Sequence, residues 1–442
     1  MAQAQNTTGE TKYLSEFYHL PEFKGLEGYK KNGGYVDLEK ALKMQPQTII
    51  DEVKASGLRG RGGAGFSTGM KWGFLPKNNE PRYLLCNADE GEPGTFKDRM
   101  MMEKAPHQLI EGMIISGFAI GSKKSYIYVR GEYDDSINAL TTAIQEAYKA
   151  GYLGKNILGS GFDHDMDVYR GAGAYICGEE TGMISSLEGL KGQPKLKPPF
   201  PAVQGYLRKP TIVNNVETLA VVKYIIRDGA AHYKTFGTEK STGTKLFSLS
   251  GNIVKPGNYE VPLSYPLKDM IYGLGGGFKA GRKLKAVIPG GSSAPVLNAE
   301  ESERALLDYE NLAQMGTMLG SGAIIVIDDS NCMVQCLANL THFYHHESCG
   351  QCTPCREGTG WLDKIVHSIL AGKGRMQDIE LLIKVADNMK GKTICALSDA
   401  AALPVLSFVT KFRDEFEYFV REGKSKVKGT AFQARGDAHV GH

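Results

Sequence analysis

Residues Leu58–Gly69 read Leu-Arg-Gly-Arg-Gly-Gly-Ala-Gly-Phe-Ser-Thr-Gly, and Lys71 follows closely. Glycine lets the backbone adopt positive φ and approach a ligand closely. Successive bare N–H groups form nests that bind anions, and Arg or Lys adds positive charge. The stretch therefore predicts a phosphate-binding loop, and we call it the glycine loop.

The glycine loop contains a literal G-x-G-x-x-G at Gly60, Gly62 and Gly65. A dinucleotide fingerprint of this kind must follow a strand and open a helix. The apolar residues of Thr48–Ser56 recur at helical spacing instead, which predicts a helix ahead of the loop. The pattern thus argues against an ordinary Rossmann fingerprint.

Composition is that of a globular protein of 442 residues, long enough for two to four domains. The net charge of +3 is too small to indicate binding to nucleic acid or to an anionic membrane surface. The sequence has no apolar run of about 18 residues, the length of a membrane span. Its N-terminus lacks the pattern of a signal or transit peptide. We expect a cytosolic protein whose membrane contact goes through partner subunits.

Strand and helix patterns alternate over the first half of the chain, which predicts an α/β layered domain. Strands are predicted at Arg82–Cys86, Ser125–Arg130 and Asp165–Tyr169, and helices at Gln108–Gly121, Ser136–Ala150 and Gly182–Leu187.

Polar side chains follow the first of these strands and recur further on. Asp89, Glu90 and Glu92 follow that strand directly, and such a stretch is either a ligand-binding strand end or a solvated acidic turn. Within Thr211–Thr218, Asn214 and Asn215 are predicted at the start of a helix that runs to Asp228. There either amide caps the helix or the helix start binds a phosphate.

The pattern changes after residue 240. Short strands at Lys245–Ser250, Gly257–Val261, Ala286–Ile288 and Ala323–Ile327 predict a small α+β domain of β-grasp type over about 240–328. Helical patterns at Met333–Tyr344, Trp361–Leu370, Met376–Met389 and Ser398–Tyr418 predict a closing helical bundle. The turn Pro289–Pro295 either contacts a ligand or only links strands, and we expect it to link strands.

Four cysteines mark the bundle. Cys349, Cys352 and Cys355 are spaced C-x2-C-x2-C, and Cys395 supplies a fourth thiol forty residues later. Both a [4Fe–4S] cluster and zinc accept four thiolates. Structural zinc usually takes two separated pairs of cysteines, so the three-plus-one spacing favours iron–sulfur. Cysteines outside this set are predicted to be core residues.

These motifs together resemble the NADH-oxidising flavoprotein subunit of respiratory complex I, the bacterial type-1 NADH:quinone oxidoreductase. The resemblance extends from about residue 30 to 415. It is carried by Leu58–Gly69, Asn87–Arg99, Arg170–Thr181, Leu196–Phe200, Asn214–Thr218, and His346–Gly358 with Cys395.

The resemblance implies particular site residues. Around FMN it implies Gly60, Arg61, Gly62, Gly63, Ala64, Gly65, Lys71, Asn87, Asp89, Glu90, Gly178, Asn214, Asn215 and Thr218. Around NADH it implies aromatic faces at Phe66, Phe74 and Phe200, and Glu92, Tyr175, Glu179 and Glu180 near the ribose or nicotinamide. Lys71 is expected to face the incoming NADH as well as the flavin. The implied ligands of one [4Fe–4S] cluster are Cys349, Cys352, Cys355 and Cys395. Hydride transfer from NADH to FMN then needs no catalytic side chain of the protein.

The resemblance also implies the architecture and partners. We expect a Rossmann-like FMN/NADH domain with an N-terminal extension (1–240), a β-grasp domain (241–328), a helical bundle that carries the cluster (329–422) and a flexible tail (423–442). Expected partners are a thioredoxin-like [2Fe–2S] subunit and a larger iron–sulfur subunit, which together place the chain on the cytoplasmic face of the inner membrane.

Two residues depart from the family pattern. Ser67 replaces a common Pro and is expected to loosen the glycine loop, and Gly182 replaces a usual Ala beside Glu179 and Glu180. The alternative family is the flavin subunit of a soluble NAD-linked hydrogenase or formate dehydrogenase. Those subunits often carry further cysteine-rich domains, whereas this sequence has no cysteine before Cys86 or after Cys395. A zinc-stabilised scaffold would explain the thiols but not the glycine loop.

Overall fold

The structure, a computed structural model, describes residues 9–427. Most of the predicted tail, residues 423–442, lies outside the described residues, as do residues 1–8. The first part of the chain has helices α1 (Leu26–Lys31), α2 (Val36–Ala41), α3 (Pro46–Ala55), α4 (Thr68–Gly73), α5 (Lys97–Lys104), α6 (Pro106–Ile120), α7 (Asp134–Lys149), α8 (Glu180–Leu187), α9 (Pro201–Gln204), α10 (Val216–Asp228) and α11 (Ala230–Tyr233), with strands β1 (Tyr83–Ala88), β2 (Lys124–Val129), β3 (Asp165–Arg170) and β4 (Thr211–Asn215).

These strands form a parallel sheet in the order β3-β2-β1-β4. Successive side chains of β1 point to opposite faces. Leu84 packs into the core of the α/β part, whereas Leu85 packs into a second core shared with the carboxyl-terminal helices. Asn87 is paired with Asn215 at the carboxyl ends of β1 and β4, so polar side chains from distant segments meet there.

The helix predicted to start at Asn214 and Asn215 and to run to Asp228 is confirmed, since α10 spans Val216–Asp228. The residues before it, Thr211–Asn215, form strand β4, which the sequence pattern does not predict. The β-branched run Thr-Ile-Val favours a strand, and these three side chains are buried beside β1. Asn215 ends the strand and caps α10, since its side chain accepts a hydrogen bond from the N–H of Glu217.

The second part is the predicted small α+β unit. Its elements are β5 (Thr244–Gly251), β6 (Gly257–Pro262), β7 (Tyr265–Pro266), α12 (Leu267–Asp269), β8 (Leu284–Ile288), β9 (Leu297–Asn298), α13 (Ala299–Arg304), β10 (Leu306–Leu307), α14 (Tyr309–Gln314) and β11 (Ala323–Asp328). A mixed five-stranded sheet has the order β6-β5-β11-β8-β9, and its side chains contribute to a hydrophobic core that is separate from those of the other parts.

The third part is helical, with α15 (Met333–Glu347), α16 (Thr353–Leu370), α17 (Met376–Met389), α18 (Leu397–Lys411) and α19 (Arg413–Glu422). Ser398–Tyr418 is predicted as one helical segment, but the structure divides it at Phe412. This residue leaves the helical region with φ −121° and ψ 30°, and its ring is buried in the core. None of the helices within residues 9–427 is long and apolar enough to cross a bilayer.

Candidate functional site

The glycine loop lies between α3 and α4, as the helical pattern ahead of it predicts. It is closed at its base by hydrogen bonds from Gly60 N to Phe66 O (2.8 Å) and from Thr68 N to Leu58 O (2.9 Å). The N–H groups of residues 62–64 form no hydrogen bond with any part of the described chain. Gly63 has φ +134°, a backbone conformation that residues other than glycine rarely adopt. The loop therefore offers free backbone donors suited to a phosphate.

The arginine side chains of the loop are bound to neighbouring segments. Arg61 is fully buried, and its Nη2 donates to Tyr233 Oη (2.9 Å) and to the carbonyls of Thr242 and Thr244. Its backbone N–H donates to Thr218 Oγ1 (2.8 Å), which holds the loop against α10. Arg61 Nη2 therefore joins the loop to the connection between the first two domains, whereas Nε and Nη1 are buried without a hydrogen-bond partner among the described residues.

Ser67, the residue at which the resemblance leads us to expect Pro, caps the helix that follows the loop. Its hydroxyl accepts a hydrogen bond from Met70 N (3.5 Å) and caps α4. Serine is a favoured residue at this position because it satisfies a free N–H of the first turn.

A cavity of about 410 Å³ lies between the glycine loop and the carboxyl ends of β1 and β4. That volume is typical of small-molecule sites. The predicted residues that line it are Arg61, Gly62, Gly63, Ala64, Asn87, Asp89, Glu90, Glu92, Tyr175, Gly178, Glu179 and Asn215. The cavity thus brings together four separate stretches of sequence singled out above.

Asp89 is the carboxylate best placed to meet a ligand. Its Oδ2 is buried without a hydrogen-bond partner among the described residues, and burial raises the pKa of Asp89 to about 8. A buried polar atom of this kind requires a partner. The N–H edge of a flavin ring is a suitable one, so this wall of the cavity fits FMN, as the free N–H groups of the glycine loop fit its phosphate.

The other carboxylates are already engaged by the protein. Glu90 accepts from the N–H groups of Asp98 and Arg99 at the start of α5, and burial raises its pKa above the ordinary value of a glutamate. Glu92 accepts from Ser293 N (2.8 Å) and from Tyr175 Oη (2.5 Å). These hydrogen bonds hold the side chains of Glu90 and Glu92 in fixed positions in the cavity wall.

Glu179 caps α8, and its Oε2 accepts from Thr181 N and Gly182 N. A Cβ at Gly182 would lie 2.8 Å from the carbonyl oxygen of Ile176. Glycine therefore lets this helix start sit close to the preceding turn, with the carboxylate of Glu179 held in place.

The remaining predicted residues do not line the cavity. They are Gly60, Gly65, Phe66, Lys71, Phe74, Glu180, Phe200, Asn214 and Thr218. Phe66, Phe74 and Phe200 are each about half exposed, and the rings of Phe66 and Phe74 have centroids 5.9 Å apart. Asn214 instead accepts a hydrogen bond from Trp72 Nε1 (2.9 Å) inside the fold.

The cavity wall also contains a set of residues that the sequence analysis does not predict. It comprises Gly91, Thr95, Lys97, Asp98, Ile176, Ser293, Met318, Gly320, Ser321, Ala396, Leu397, Asp399, Ala400 and Leu403. Lys97 is fully buried and pairs with Asp98 (2.6 Å) and Glu217 (2.8 Å). Lys97 could have been identified from the sequence, because it lies within Asn87–Arg99, one of the stretches that carry the resemblance. Ser293 shows that the turn Pro289–Pro295 reaches the cavity as well as linking strands.

The four predicted cluster cysteines lie near one another, since Cys355 interacts electrostatically with Cys349 and Cys352, and Cys395 with Cys349 and Cys355. All are free thiols. Cys352 and Cys355 lie at the start of α16, where Ser348 Oγ is 3.3 Å from Cys355 Sγ. Ile394 N donates to Cys352 Sγ (3.5 Å), which brings the segment of Cys395 against them. Cys395 itself lines the cavity.

Residues 9–427 contain no group of three His, Cys, Asp or Glu in the geometry of a site for a single metal ion. An iron–sulfur cubane holds its thiolates farther apart than a single ion does, and four thiols with no other ligand are the donor set it requires. The residues present therefore fit a [4Fe–4S] cluster.

Three family descriptions match successive parts of the chain. The Nuo51 FMN-binding domain matches residues 53–224, the SLBB domain residues 245–327, and the NADH-ubiquinone oxidoreductase-F iron-sulfur binding region residues 335–419. The matches follow the three parts of the fold in order.

Curated relatives match at nearly full length. The second F-type NADH-quinone oxidoreductase subunit of Rhizobium meliloti is 51% identical over 405 residues, which cover 91% of this chain and 96% of the relative. The F-type NADH-quinone oxidoreductase subunit of Mycobacterium tuberculosis is 49% identical over 421 residues, which cover 93% and 94%.

Similar solved structures include an NAD+-reducing [NiFe]-hydrogenase in two states. The air-oxidized state has a TM-score of 0.81 at 35% identity and covers 93% of this chain and 67% of that chain. The H2-reduced state has a TM-score of 0.79 at 38% identity, and the match covers 86% of this chain and 63% of that chain. The oxidoreductase relatives are more identical to this chain and are spanned by it over more of their own length. The chain therefore belongs to the family of F-type NADH-quinone oxidoreductase subunits, whose cofactors are FMN, NADH and one [4Fe–4S] cluster.

Proposed function

We propose that the cavity binds FMN with its phosphate on the free N–H groups of residues 62–64 and its ring near Asp89 and Asn87. The unpartnered Oδ2 of Asp89 and the cavity volume of about 410 Å³ support this arrangement. We also propose that three aromatic side chains receive NADH, because each is about half exposed to solvent. They are Phe66, Phe74 and Phe200, and we call them the aromatic surface.

The chain acts as the NADH dehydrogenase subunit, with electrons passing from NADH to FMN and then to the cluster. FMN supplies the hydride acceptor and the cluster supplies the one-electron acceptor. The protein's own residues bind and orient these groups. Lys71, Lys197 and Glu180 form a charged cluster beside the aromatic surface, and Glu92 and Tyr175 fix the wall of the cavity by a mutual hydrogen bond.

One observation carries the proposal: Cys395 belongs to the set of four thiols and also lines the cavity. A cluster held by this thiolate would be adjacent to whatever the cavity binds. Short distance between two redox groups is what electron transfer requires, so this placement favours a flavin-to-cluster path.

The names of the relatives imply assembly with other subunits. We propose that the partners are a thioredoxin-like [2Fe–2S] subunit and a larger iron–sulfur subunit, and that the assembled complex holds the chain on the cytoplasmic face of the inner membrane. We also propose domain boundaries at about 240, 328 and 422, within which the three matched segments fall.

The decisive experiment is an optical and EPR spectrum of the purified full chain before and after addition of NADH, with ferricyanide reduction measured in parallel. We expect bleaching of a flavin band, a reduced iron–sulfur signal and NADH-dependent turnover. Bound FMN without NADH-dependent turnover would refute the assignment. A colourless protein that contains zinc would establish the scaffold alternative.

A further inference from the structure

The outer side of the glycine loop is held by the second domain. The guanidinium carbon of Arg59 lies 3.7 Å from the ring centroid of Tyr309, in a cation–π contact. Arg59 Nη1 is 2.6 Å from Glu310 Oε1, and Arg59 Nε donates to the carbonyl of Gly65 (2.7 Å). Arg59 therefore joins the far end of the loop to the first two residues of α14. We call Arg59, Tyr309 and Glu310 the loop latch.

Tyr309 contacts both ends of the loop. Its hydroxyl donates to the carbonyl of Gly60 (3.0 Å). At the other end, a Cβ placed on Gly65 would lie 2.4 Å from Cε1 of the Tyr309 ring. Gly65 has φ +63°, so this position requires glycine both for its conformation and for the approach of the ring.

The latch is itself firmly held in the second domain. Ser241 Oγ donates to Glu310 Oε2 (2.5 Å) and accepts from Tyr309 N (3.3 Å). Asp308 caps α14 by accepting from Asn311 N (2.7 Å). Because Tyr309 and Glu310 are fixed from behind, their contacts restrict the loop and not only their own side chains.

We propose that Tyr309 is a positioning residue through which the second domain fixes the glycine loop in its phosphate-binding shape. This rests on the proposed function, in which the N–H groups of residues 62–64 bind the FMN phosphate. Tyr309 does not line the cavity, so it acts through the loop. A loop that is ordered before binding loses less conformational entropy when the ligand arrives. Without the latch, FMN itself must order the loop, and its affinity falls.

The test is FMN affinity of the full chain after removal and re-addition of the flavin, followed by quenching of flavin fluorescence. Tyr309→Leu removes the ring contact and the hydroxyl, and we expect its Kd for FMN to rise about tenfold. Tyr309→Phe keeps the ring and removes the hydroxyl that donates to Gly60 and interacts with Arg61, and we expect a rise of about threefold.

Tyr272→Phe is the matched control. Tyr272 lies in the same domain, is 46% exposed, and donates its hydroxyl to Glu303 (3.1 Å) far from the loop. We expect its Kd for FMN to equal that of the wild type. The thermal midpoint and the iron–sulfur EPR signal should be the same in the Tyr309→Phe, Tyr272→Phe and wild-type proteins, which separates loop positioning from general destabilisation.

Trypsin supplies a second readout that does not depend on flavin. Cleavage after Arg59 in the flavin-free chain should be faster in both Tyr309 variants than in the control. Unchanged FMN affinity in both folded variants would overturn the proposal. If Tyr309→Leu fails to fold, the Tyr309→Phe variant decides in the same way. If the wild-type chain itself fails to bind FMN, the proposed function is refuted, independently of the latch.

Discussion

The ammonium group of Lys71 lies 2.7 Å from Glu180 Oε2, so α4, which follows the glycine loop, is tied to the first residue of α8. Lys197 contacts the other oxygen of the same carboxylate at 2.9 Å. Burial raises the pKa of Glu180, but the two ammonium groups outweigh burial and lower that pKa below its ordinary value. Glu180 therefore stays ionised between Lys71 and Lys197.

We expect Lys71→Met to weaken NADH binding while FMN is retained. The variant leaves Glu180 with one cation and disturbs the charged cluster where NADH arrives. KM for NADH should rise about tenfold, which corresponds to about 1.4 kcal/mol, as measured with ferricyanide as acceptor. Lys77→Met, at an exposed position nearby, is the control. Loss of flavin from Lys71→Met with an unchanged KM would contradict this assignment.

Replacement of Gly63 by Val should remove FMN and leave the iron–sulfur spectrum intact. A side chain at φ +134° strains the backbone and fills the space in front of the free N–H groups. The measurement is the ratio of flavin to iron after purification. Gly73→Ala is a matched control, because Gly73 lies in a helix and a Cβ there has no neighbour within 4 Å. Equal flavin content in the two variants would disprove that the glycine loop binds the FMN phosphate.

Cys395→Ser should abolish the [4Fe–4S] signal and leave FMN bound. A serine oxygen is a poor substitute for the fourth thiolate, whereas the cavity keeps its other walls. The measurement is EPR after reduction, together with flavin fluorescence. Cys336→Ala serves for comparison, because Cys336 is outside the predicted ligand set and should keep the signal. A cluster that survives in Cys395→Ser would remove this residue from the ligand set.

Asp89 should make the stability of the flavin-free chain depend on pH. Burial raises the pKa of Asp89 from 3.8 to about 8. For a carboxyl whose pKa is raised on folding, stability is fully present below the unfolded pKa and is lost as pH rises through the folded pKa. The loss therefore falls between about pH 4 and pH 8.

Asp89→Asn removes this titration. We expect its thermal midpoint to exceed that of the wild type at pH 8.5 by a few degrees, with a smaller difference at pH 5.5. Asp51→Asn, at an exposed position, should show no such trend. A difference between Asp89→Asn and wild type that is equal at both pH values would contradict the burial of a titrating carboxyl.

Local sequence signals predicted the parts of the site that lie within single motifs. The three-plus-one spacing of the cysteines marks the bundle, and the helical pattern before the glycine loop correctly excludes an ordinary Rossmann fingerprint. The sequence predicts that Asp89, Glu90 and Glu92 follow a strand, and the structure confirms this, because β1 ends at Ala88. Each of these features depends on neighbours within a few residues.

Features that depend on packing between distant segments could not be predicted in this way. Ser293, Met318 and Ser321 reach the cavity only because the second domain folds against the first. The side chains of Arg59 and Arg61 illustrate the same limit. Positive charge on a glycine-rich loop suggests phosphate binding, but Tyr309 and Tyr233, more than 170 residues away, receive these guanidinium groups.

The walls of the cavity come from all three parts of the chain: residues 62–64 of the first, Ser293 and Ser321 of the second, and Cys395 and Leu403 of the third. This has an evolutionary consequence. A gene that exchanged one of these parts for a foreign counterpart would encode a pocket with one wrong face, even if every part folded well. The three segments are therefore expected to be inherited together, and chimaeras between related chains should succeed only when the residues at these walls are exchanged as a set.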